Sequence, residues 1–521
     1  MKRIYVNLII GLFVCGLTSC EDKLADLYTN PDQTSQGSIG KFFTRMLNND
    51  RVRPSYWNVR TFLVMHPAKY TQTVSFTNSE RRYMQQLSYI DDFWRDYYTP
   101  TGAGIIAHLR EMEKLYAAMP EEGKSQADVY MNAAKVVCAD QTSQMVDLWG
   151  DIPFAEAGGL NLKGSSVPAV FDDAKIIYAR LLEMLEDASA YFANAELDSR
   201  VQTAFSQQDI LLNGSVEGWQ RYANSVRLRL LMRISFENEN LAQAEVMEML
   251  NNPGAYPLVD EAAHDVLLEP LSNYNDNMRN ALVEVSSHVA PEFLLDQVMK
   301  PAGDPRIRVW FDKNSSGGVQ NADYFSMPSN ISSTVQDANI SQGRYAILDS
   351  ATFLFNRAFP GIVITSAEVN FLKAEALQRW GAENDARTAY EKGVEDAVRF
   401  MFYLNQLGGG AEDPLTQEEL ESLLANPLVA YAGTPNELLS KIWTQKWLHF
   451  GFMQSIQGWA ELRRTKVPAL TFVPDLGTPD AQLPPSRLIY PSSEKTYNSV
   501  NYAAVAEKDT PIGKIFWDVR Q

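Results

Sequence analysis

The chain has few cysteines and few histidines, and neither type is clustered. Of its three cysteines, Cys15 and Cys20 lie near the N-terminus and Cys138 stands alone, so a processed chain has no pair for a structural disulfide. The five histidines form no pair at helical spacing, and no Cys/His group has zinc-ligand spacing. The sequence therefore predicts no metal site and no cofactor, although its scattered Asp and Asn residues leave a structural calcium open.

Basic residues are also scarce. The 521 residues include 46 Lys+Arg against 64 Asp+Glu, which gives a formal net charge of −18, and no run of Lys and Arg is longer than two. Proteins that neutralise a phosphate backbone carry clustered basic residues. Nucleic acid is therefore not an expected partner.

Motifs that carry catalysis are missing as well. No G-x-S-x-G elbow presents a serine nucleophile, and the glycine run at 408–410 lacks the Lys-Ser/Thr of a phosphate cradle. The acidic pairs at 91–92 and 172–173 are adjacent in sequence, whereas a glycosidase needs two carboxylates across a cleft. Cys138 lies in a helical pattern and is interpreted as a small buried hydrophobe. We expect a protein that is not an enzyme, with a surface glycosidase as the least favoured alternative.

The one apolar run long enough to suggest a targeting function lies at the start of the chain. Lys2 and Arg3 precede the run 4–17, which is too short to span a bilayer, and Thr18-Ser19-Cys20 resembles a bacterial lipobox. We expect residues 1–19 to be a lipoprotein signal peptide and Cys20 to be acylated, with palmitate among the acyl chains. Several acyl chains on one cysteine would hold the folded part on a membrane surface.

Helical periodicity dominates the rest of the chain. Apolar stripes predict helix pairs near 129–192, 218–251, 366–404 and 440–464, with Asp172 and Asp173 at a helix N-terminus. Ala374, Leu377 and the set Ala386, Tyr390 and Gly393 match the small-residue pattern of tetratricopeptide helix pairs. The prediction is a mostly α fold with little β: a tether at about 20–40, a single domain over 20–521, and a long loop insertion at about 260–360.

Aromatic residues outside the helical stripes are the candidate ligand contacts. Long insertions in compact domains are usually functional, and the insertion carries Tyr274, Trp310, Tyr324 and Phe325, with Asn275 beside them. Trp94 is a weaker candidate because, with Tyr97 and Tyr98, it could equally belong to a helix that packs inward. By contrast, core spacing predicts a packing role for Trp149, Trp219, Trp447 and Trp459, and ion pairs between helices for Arg227, Arg229, Arg233, Arg463 and Arg464.

Several segments, in order along the chain, resemble those of SusD/RagB-type outer-membrane lipoproteins, in the SusD-like subgroup. The strongest is 219–235 (WQRYANSVRLRLLMRIS). The others are DLWGDIPF at 147–154, DPRI at 304–307, QKW at 445–447 with GWAELRRT at 458–465, RLIYPSSE at 487–494 with Asn501-Tyr502, and FWDV at 516–519. Together with the lipobox-like start, these matches cover essentially the whole chain.

The resemblance implies a tetratricopeptide-like helical scaffold with a loop-rich half that carries the ligand site. It implies a surface-exposed, lipid-anchored protein of the outer membrane that acts in polysaccharide utilisation as the lid of a SusC-like TonB-dependent barrel transporter and delivers an oligosaccharide for uptake. Two alternatives stay open: a peptide-binding member of the same family, and an adaptor lipoprotein that holds a protein segment in its helical groove. The family's ligand residues are not part of its shared motifs, so none is carried over.

Overall fold

The computed structural model describes residues 38–99, 101, 103–159, 168–271, 277–478 and 481–521. The signal peptide, Cys20, most of the tether, Tyr274 and Asn275 lie outside these residues. Within them, no helix is both long and apolar enough to cross a membrane.

The described residues are mainly helical, which confirms the predicted fold class. The longer helices are α1 (Ile39–Leu47), α2 (Leu87–Tyr98), α3 (Ile105–Ala117), α4 (Glu121–Trp149), α5 (Ala174–Asn194), α6 (Ser199–Gln208), α7 (Val216–Arg233), α8 (Glu239–Asn251), α9 (Ser333–Ser341), α10 (Ser366–Trp380), α11 (Glu383–Leu407), α12 (Gln417–Ala425), α13 (Pro435–Phe450) and α14 (Ser455–Thr465). Shorter α-helices are Pro67–Tyr70, Asn277–Val283, Lys300–Ala302, Ile307–Trp310, Ser492–Tyr497 and Ser499–Tyr502; π-helical segments are Trp57–Leu63, Phe293–Met299 and Ser350–Leu354; and 3₁₀ turns are Ala262–His264 and Ala506–Lys508.

Local sequence sets where these helices begin and end. Asp173 caps α5 by accepting from the Lys175 backbone N–H at 2.9 Å, as the acidic pair predicted. Its neighbour Asp172 instead accepts from the Phe154 backbone N–H at 2.8 Å, which ties the loop after α4 to the start of α5. Gly150 ends α4 with φ of 81°, a conformation that residues with a Cβ rarely adopt.

The four predicted helix pairs are present as α4/α5, α7/α8, α10/α11 and α13/α14. The pair α10/α11 crosses closely because Gly393 on α11 faces Phe371 on α10, and a Cβ at Gly393 would lie 2.9 Å from that ring. Helices of neighbouring pairs also pack on one another, α5 on α7 and α10 on α13. The predicted tetratricopeptide-like scaffold is therefore confirmed.

The insertion contains short ordered elements rather than a continuous loop. Three antiparallel strand pairs lie in or next to it: β1 (Val266–Leu268) with β6 (Gly361–Ile364), β2 (Phe311–Asp312) with β5 (Ile347–Leu348), and β3 (Ser315–Ser316) with β4 (Val319–Gln320). The segment Phe293–Met299 and helix α9 also belong to it. Because these strands are two to four residues long, the insertion keeps much irregular backbone at the surface.

The four tryptophans of the helical stripes are core residues, as predicted. Trp149, Trp219, Trp447 and Trp459 are at most 2% exposed. The indole N–H of Trp149 donates to the Ile489 carbonyl at 2.9 Å, and that of Trp447 donates to the Thr71 carbonyl at 3.0 Å. Trp149 and Trp447 therefore fill core volume and also fasten distant loops to the helices.

Buried ion pairs join the helix pairs to one another. Arg229 on α7 lies 2.9 Å from Asp140 on α4 and 2.5 Å from Glu368 on α10. A second group is formed by Arg233, Asp147, Glu461, Arg464, Glu375 and Lys446. Arg227 pairs with Glu245 at 3.1 Å. The predicted interhelical role is confirmed for Arg227, Arg229, Arg233 and Arg464.

The prediction is wrong for Arg463, which has no ion pair within the range of chain that the structure describes. Its guanidinium carbon lies 3.9 Å from the centre of the Trp459 ring, and Nη1 donates to the Ser486 carbonyl at 2.8 Å. Consecutive residues on a helix point about 100° apart, so Arg464 faces the acidic group while Arg463 covers the ring.

Candidate functional site

Two tryptophans predicted as ligand contacts are core residues. Trp310 is 2% exposed, and its ring centre lies 5.9 Å from that of Phe353. Trp94 on α2 is also 2% exposed; it packs edge-on against Trp149 and donates to Glu494 Oε1 at 3.2 Å. Neither ring has a free face, so both are removed from the candidate ligand surface. Trp310 ends a four-residue helix, too short to show the periodicity that separates an inward from an outward ring.

Tyr324 and Phe325 lie at the surface. Tyr324 is half-buried, with Lys313 Nζ 5.2 Å from its ring centre, and Phe325 is 47% exposed, with Lys300 Nζ 6.0 Å from its ring centre. Lys300 Nζ also donates to the Tyr324 carbonyl at 2.5 Å. Tyr324 and Phe325 thus present two aromatic rings at the surface, and Lys300 holds the backbone between them in place.

A small cleft of about 50 Å³ lies next to the residues that follow Phe325, and Met327 and Ser329 line it. Residues from four separate stretches line it, and none of them was singled out from the sequence: Gln72, Val74, Ser75, Phe76, Asn78, Arg82, Tyr83, Pro291, Glu292, Phe293, Met327, Ser329, Thr471 and Val473. Phe76 and Phe293 are half-buried rings in this lining. The surface formed by this cleft together with Tyr324 and Phe325 is called the insertion face below.

The segment Phe293–Met299 connects the two parts of the insertion face. Phe293 at its start lines the cleft, while Asp296 in its middle pairs with Lys300 at 3.2 Å and accepts from Ser326 Oγ at 2.5 Å. Met327, two residues after Phe325, also lines the cleft. The rings and the cleft are therefore joined through two short stretches of chain, 293–299 and 324–327.

The polar walls of the cleft are fixed before any ligand arrives. Asn78 Nδ2 donates to the carbonyls of Ser329 and Ile331 at 2.5 and 2.6 Å, and Asn78 Oδ1 accepts from Arg82 Nη1 at 2.6 Å. Opposite them, Glu292 Oε2 accepts from the Ser329 backbone N–H at 2.8 Å and from its hydroxyl at 2.7 Å. Arg82 Nε is buried without a partner in the described residues. Such a site loses little conformational freedom on binding.

One sequence signal for this cleft is the stretch 72–81, which is rich in Thr, Ser and Asn around Phe76. In the structure, Gln72 and Arg81 at its two ends adopt positive φ of 54° and 62°, which marks sharp turns. What brings the stretch beside residues 291–293 and 327–331 is tertiary packing. Local patterns do not report that packing.

Three titratable side chains of the fold, those of Cys138, His66 and His449, are buried in the core. Cys138 is fully buried, and burial raises the pKa of its thiol to about 11, which confirms the interpretation as a small hydrophobe. Burial lowers the pKa of His66 and of His449 to about 3, so both rings are neutral core groups. Among the residues that the structure describes, no three His, Cys, Asp or Glu side chains are grouped to hold a metal ion.

Comparison with known proteins agrees with this architecture. A family model described as SusD-like, starch-binding and associating with the outer membrane matches residues 31–491. A solved chitin-binding SusD homologue from Flavobacterium johnsoniae superposes with a TM-score of 0.72 at 19% identity, over 93% of this chain and 99% of that one. A SusD homologue from Bacteroides thetaiotaomicron gives a TM-score of 0.70 at 18% identity, over 93% and 100% of the two chains. No curated protein sequence matches the chain.

The fold and the family match agree over nearly the whole described chain. At these identities the solved structures establish the fold, and the family model establishes the membership. The chain belongs to the SusD-like family, whose members are binding proteins rather than enzymes and associate with the outer membrane.

Proposed function

We propose that the chain is a lipid-anchored protein at the cell surface that captures a nutrient oligosaccharide on the insertion face and passes it to a SusC-like TonB-dependent barrel, over which it acts as a lid. In this proposal Cys20 carries the acyl chains. The helical pairs hold the insertion face in a fixed geometry. The observation that carries the proposal is the combination of half-exposed rings with preset amide, guanidinium and carboxylate groups on one face.

The chemistry of sugars supports this assignment. A pyranose ring presents C–H groups on its faces, which pack against aromatic rings such as Phe76, Tyr324 and Phe325. Its hydroxyls at the edge both donate and accept hydrogen bonds, and Arg82 and Glu292 supply a donor and an acceptor. Tyr274 and Asn275, predicted in the same insertion, remain part of the proposed ligand surface.

The family description and one relative narrow the choice of ligand. The family model names starch, and the Flavobacterium johnsoniae homologue is a chitin-binding protein. Maltooligosaccharides and chitooligosaccharides are therefore the first probes. A neutral glycan of this kind needs no charged partner on the protein. This fits the insertion face, where the charge of Lys300 is already paired with Asp296.

The test is titration calorimetry of the purified chain with both oligosaccharide series. Replacing Phe325 or Tyr324 with Ala should weaken binding of the better ligand about five- to thirtyfold, because each ring contributes roughly 1–2 kcal/mol by stacking. Tyr497→Ala is the matched control, since this tyrosine is 82% exposed and ends the helix Ser492–Tyr497, which contributes no residue to the insertion face. Equal binding by all three variants and the wild type would refute the insertion face as the ligand site.

The peptide-binding alternative uses the same measurement. If neither oligosaccharide series binds and mixed oligopeptides do, with the same sensitivity at Tyr324 and Phe325, the family assignment stands and the ligand class changes. If the insertion-face variants affect no ligand, the adaptor alternative gains support.

A further inference from the structure

A groove beside helix α6 lies where the described part of the chain begins. It has a volume of about 450 Å³, which is within the range typical of ligand pockets. Residues of α6 and of the start of α4 line it, together with Ile39, the first residue of α1. It shares no residue with the cleft of the insertion face or with Tyr324 and Phe325. We call it the α6 groove.

The lining of the α6 groove is mainly apolar. On α4, Gly123, Ala127 and Tyr130 recur at steps of four and three, so they share one face of that helix. Ala204 on α6 is exposed, and Met119 and Val201 are half-buried, so water covers apolar surface that a side chain could take over. The apolar side chains of the lining are those of Ile39, Met119, Ala127, Tyr130, Val201 and Ala204.

The walls of the α6 groove are fixed by contacts behind them. Thr44 Oγ1 on α1 donates to the Gln208 carbonyl at 2.8 Å, which joins α1 to the end of α6. The rings of Tyr130 on α4 and Phe205 on α6 meet edge-on with their centres 5.1 Å apart. The groove is therefore preformed, and an occupant has little protein structure to reorder.

The segment that precedes the groove in the chain carries suitable side chains. Residues 20–37 come before the described part of the chain, and their large aliphatic or aromatic side chains are Leu24, Leu27 and Tyr28. The nine residues that follow, TNPDQTSQG at 29–37, contain no such side chain. The spacing of i, i+3 and i+4 places the three apolar side chains on one face of a helical turn. Such a face favours packing on an apolar surface.

The length of the chain allows this segment to reach the groove. Residues 29–37 separate Tyr28 from Ser38 and span up to roughly 30 Å when extended. Because Ile39 already lines the groove, these nine residues need only turn back, and they include Pro31 and Gly37. The encounter is intramolecular, and a short linker gives an effective concentration in the millimolar range. Even a modest contact is then well occupied.

The charge at the rim favours the same occupant. The exposed side chain of Arg200 lines the groove and has no salt bridge with the described residues. Its acidic neighbour Asp198 caps α6 by accepting from the backbone N–H groups of Arg200 and Val201 at 2.8 and 3.0 Å. The segment 21–28 has three acidic residues and one lysine, a net charge of −2. An exposed guanidinium therefore lies beside the groove that an acidic segment would enter.

We propose that residues 24–28 of this chain dock in the α6 groove and clamp the tether to the folded body. Leu24, Leu27 and Tyr28 pack on the apolar lining, and Arg200 faces the acidic side chains of the segment. The clamp leaves only residues 20–23 as free tether, which span at most roughly 13 Å. It therefore holds this side of the body close to the membrane surface. That consequence rests on the proposed acylation of Cys20, whereas the docking itself does not.

Photo-crosslinking in the full lipidated protein, in its native outer membrane, tests the docking. Tyr28→p-benzoylphenylalanine replaces one aromatic ring with a photoreactive one, and mass spectrometry identifies the residues that it joins. The proposal predicts an adduct within the same chain at Met119 or another residue of the groove lining. Thr34→p-benzoylphenylalanine, in the polar part of the tether, is the control and should give at least tenfold less of this adduct.

A matched pair of groove variants tests whether the adduct depends on the groove. Ala204→Asp places a charge in the lining, whereas Thr203→Asp places the same charge on the neighbouring exposed residue of α6, which does not line the groove. The adduct from position 28 should fall at least tenfold in Ala204→Asp and stay unchanged in Thr203→Asp, with both variants folded by circular dichroism. Oligosaccharide binding at the insertion face should be unchanged in both, which separates this proposal from the proposed function.

Three results would overturn the proposal. The first is an adduct from position 28 mainly to another protein or to a second copy of the chain. The second is an adduct spread over the surface without preference for the groove. The third is an equal yield of the groove adduct in Ala204→Asp and Thr203→Asp.

Discussion

At the scale of single residues, the fold depends on charges that are fully removed from water. Glu375, Lys446 and Arg464 are 0% exposed, and Arg464 Nη2 lies 2.6 Å from Glu375. Burial alone would raise the pKa of Glu375, but Arg464 and Lys446 outweigh it and lower the pKa to about 2. A buried ion pair is costly to break because the remaining charge has no water to solvate it.

Glu375→Gln should therefore destabilise the chain strongly. The change leaves Arg464 and Lys446 sharing the carboxylate of Glu461, and we expect a loss of about 3–5 kcal/mol in the free energy of unfolding. Glu395→Gln is the matched control, because its pair with Arg399 at 2.7 Å is exposed and should contribute less than about 0.5 kcal/mol. Equal losses for the two variants in urea unfolding would show that burial does not govern the effect.

His449 makes a second residue-scale prediction, on the effect of pH. Burial, followed by the charge of Arg306, lowers the pKa of its imidazole from 6.5 to about 3, and its Nε2 lies 2.7 Å from Thr365 Oγ1. Below pH 6.5 the imidazole of His449 becomes protonated in the unfolded chain but stays neutral in the folded chain. The stability that this residue contributes is thus complete above pH 6.5 and is lost as the pH falls towards 3.

His449→Gln should reduce the acid sensitivity of folding. Between pH 7 and pH 5 the variant should lose roughly 1–2 kcal/mol less than the wild type, since a shift of one pKa unit corresponds to about 1.4 kcal/mol. The measurement is the free energy of unfolding by urea at a series of pH values. A variant whose pH curve runs parallel to that of the wild type would contradict the assignment of a neutral buried ring.

At the scale of elements, the sequence predicted the helices well and the insertion poorly, for physical reasons. The pair α10/α11 shows a 3.6-residue apolar stripe and small residues at its crossing, which are local signals. In the insertion, Trp310 ends a helix of four residues and β2 has two residues, so no periodicity develops. The cleft around Phe76 depends on contacts between residues far apart in sequence, which a local pattern does not encode. For Trp94 on α2, the spacing to Tyr97 and Tyr98 allowed either a ligand contact or an inward-packing helix, and the structure shows the inward-packing helix.

Gly393→Ala tests the close crossing of α10 and α11. The added Cβ would lie 2.9 Å from the Phe371 ring, so the helices must separate or the ring must shift, at an expected cost of about 1–3 kcal/mol. Gly254→Ala is the control, because a Cβ there has no atom within 4 Å. Thermal unfolding compares the two variants. A cost for Gly393→Ala no larger than for Gly254→Ala would show that this crossing tolerates a side chain.

At the scale of the whole molecule, a rigid helical scaffold supports a surface made mostly of irregular backbone. Buried ion pairs link α4, α7 and α10, and indole N–H groups fasten distant loops to the helices. The insertion face gains fixed geometry from this support, although its own strands are short.

Purification of the lipidated protein from its native outer membrane in mild detergent, followed by mass spectrometry, tests the proposed transporter-lid role. We expect an acylated N-terminal Cys20, a TonB-dependent barrel in equal amount, and loss of both membrane association and the barrel after Cys20→Ala but not after Cys138→Ala. Recovery of the acylated protein without a barrel would contradict the proposed role as a transporter lid.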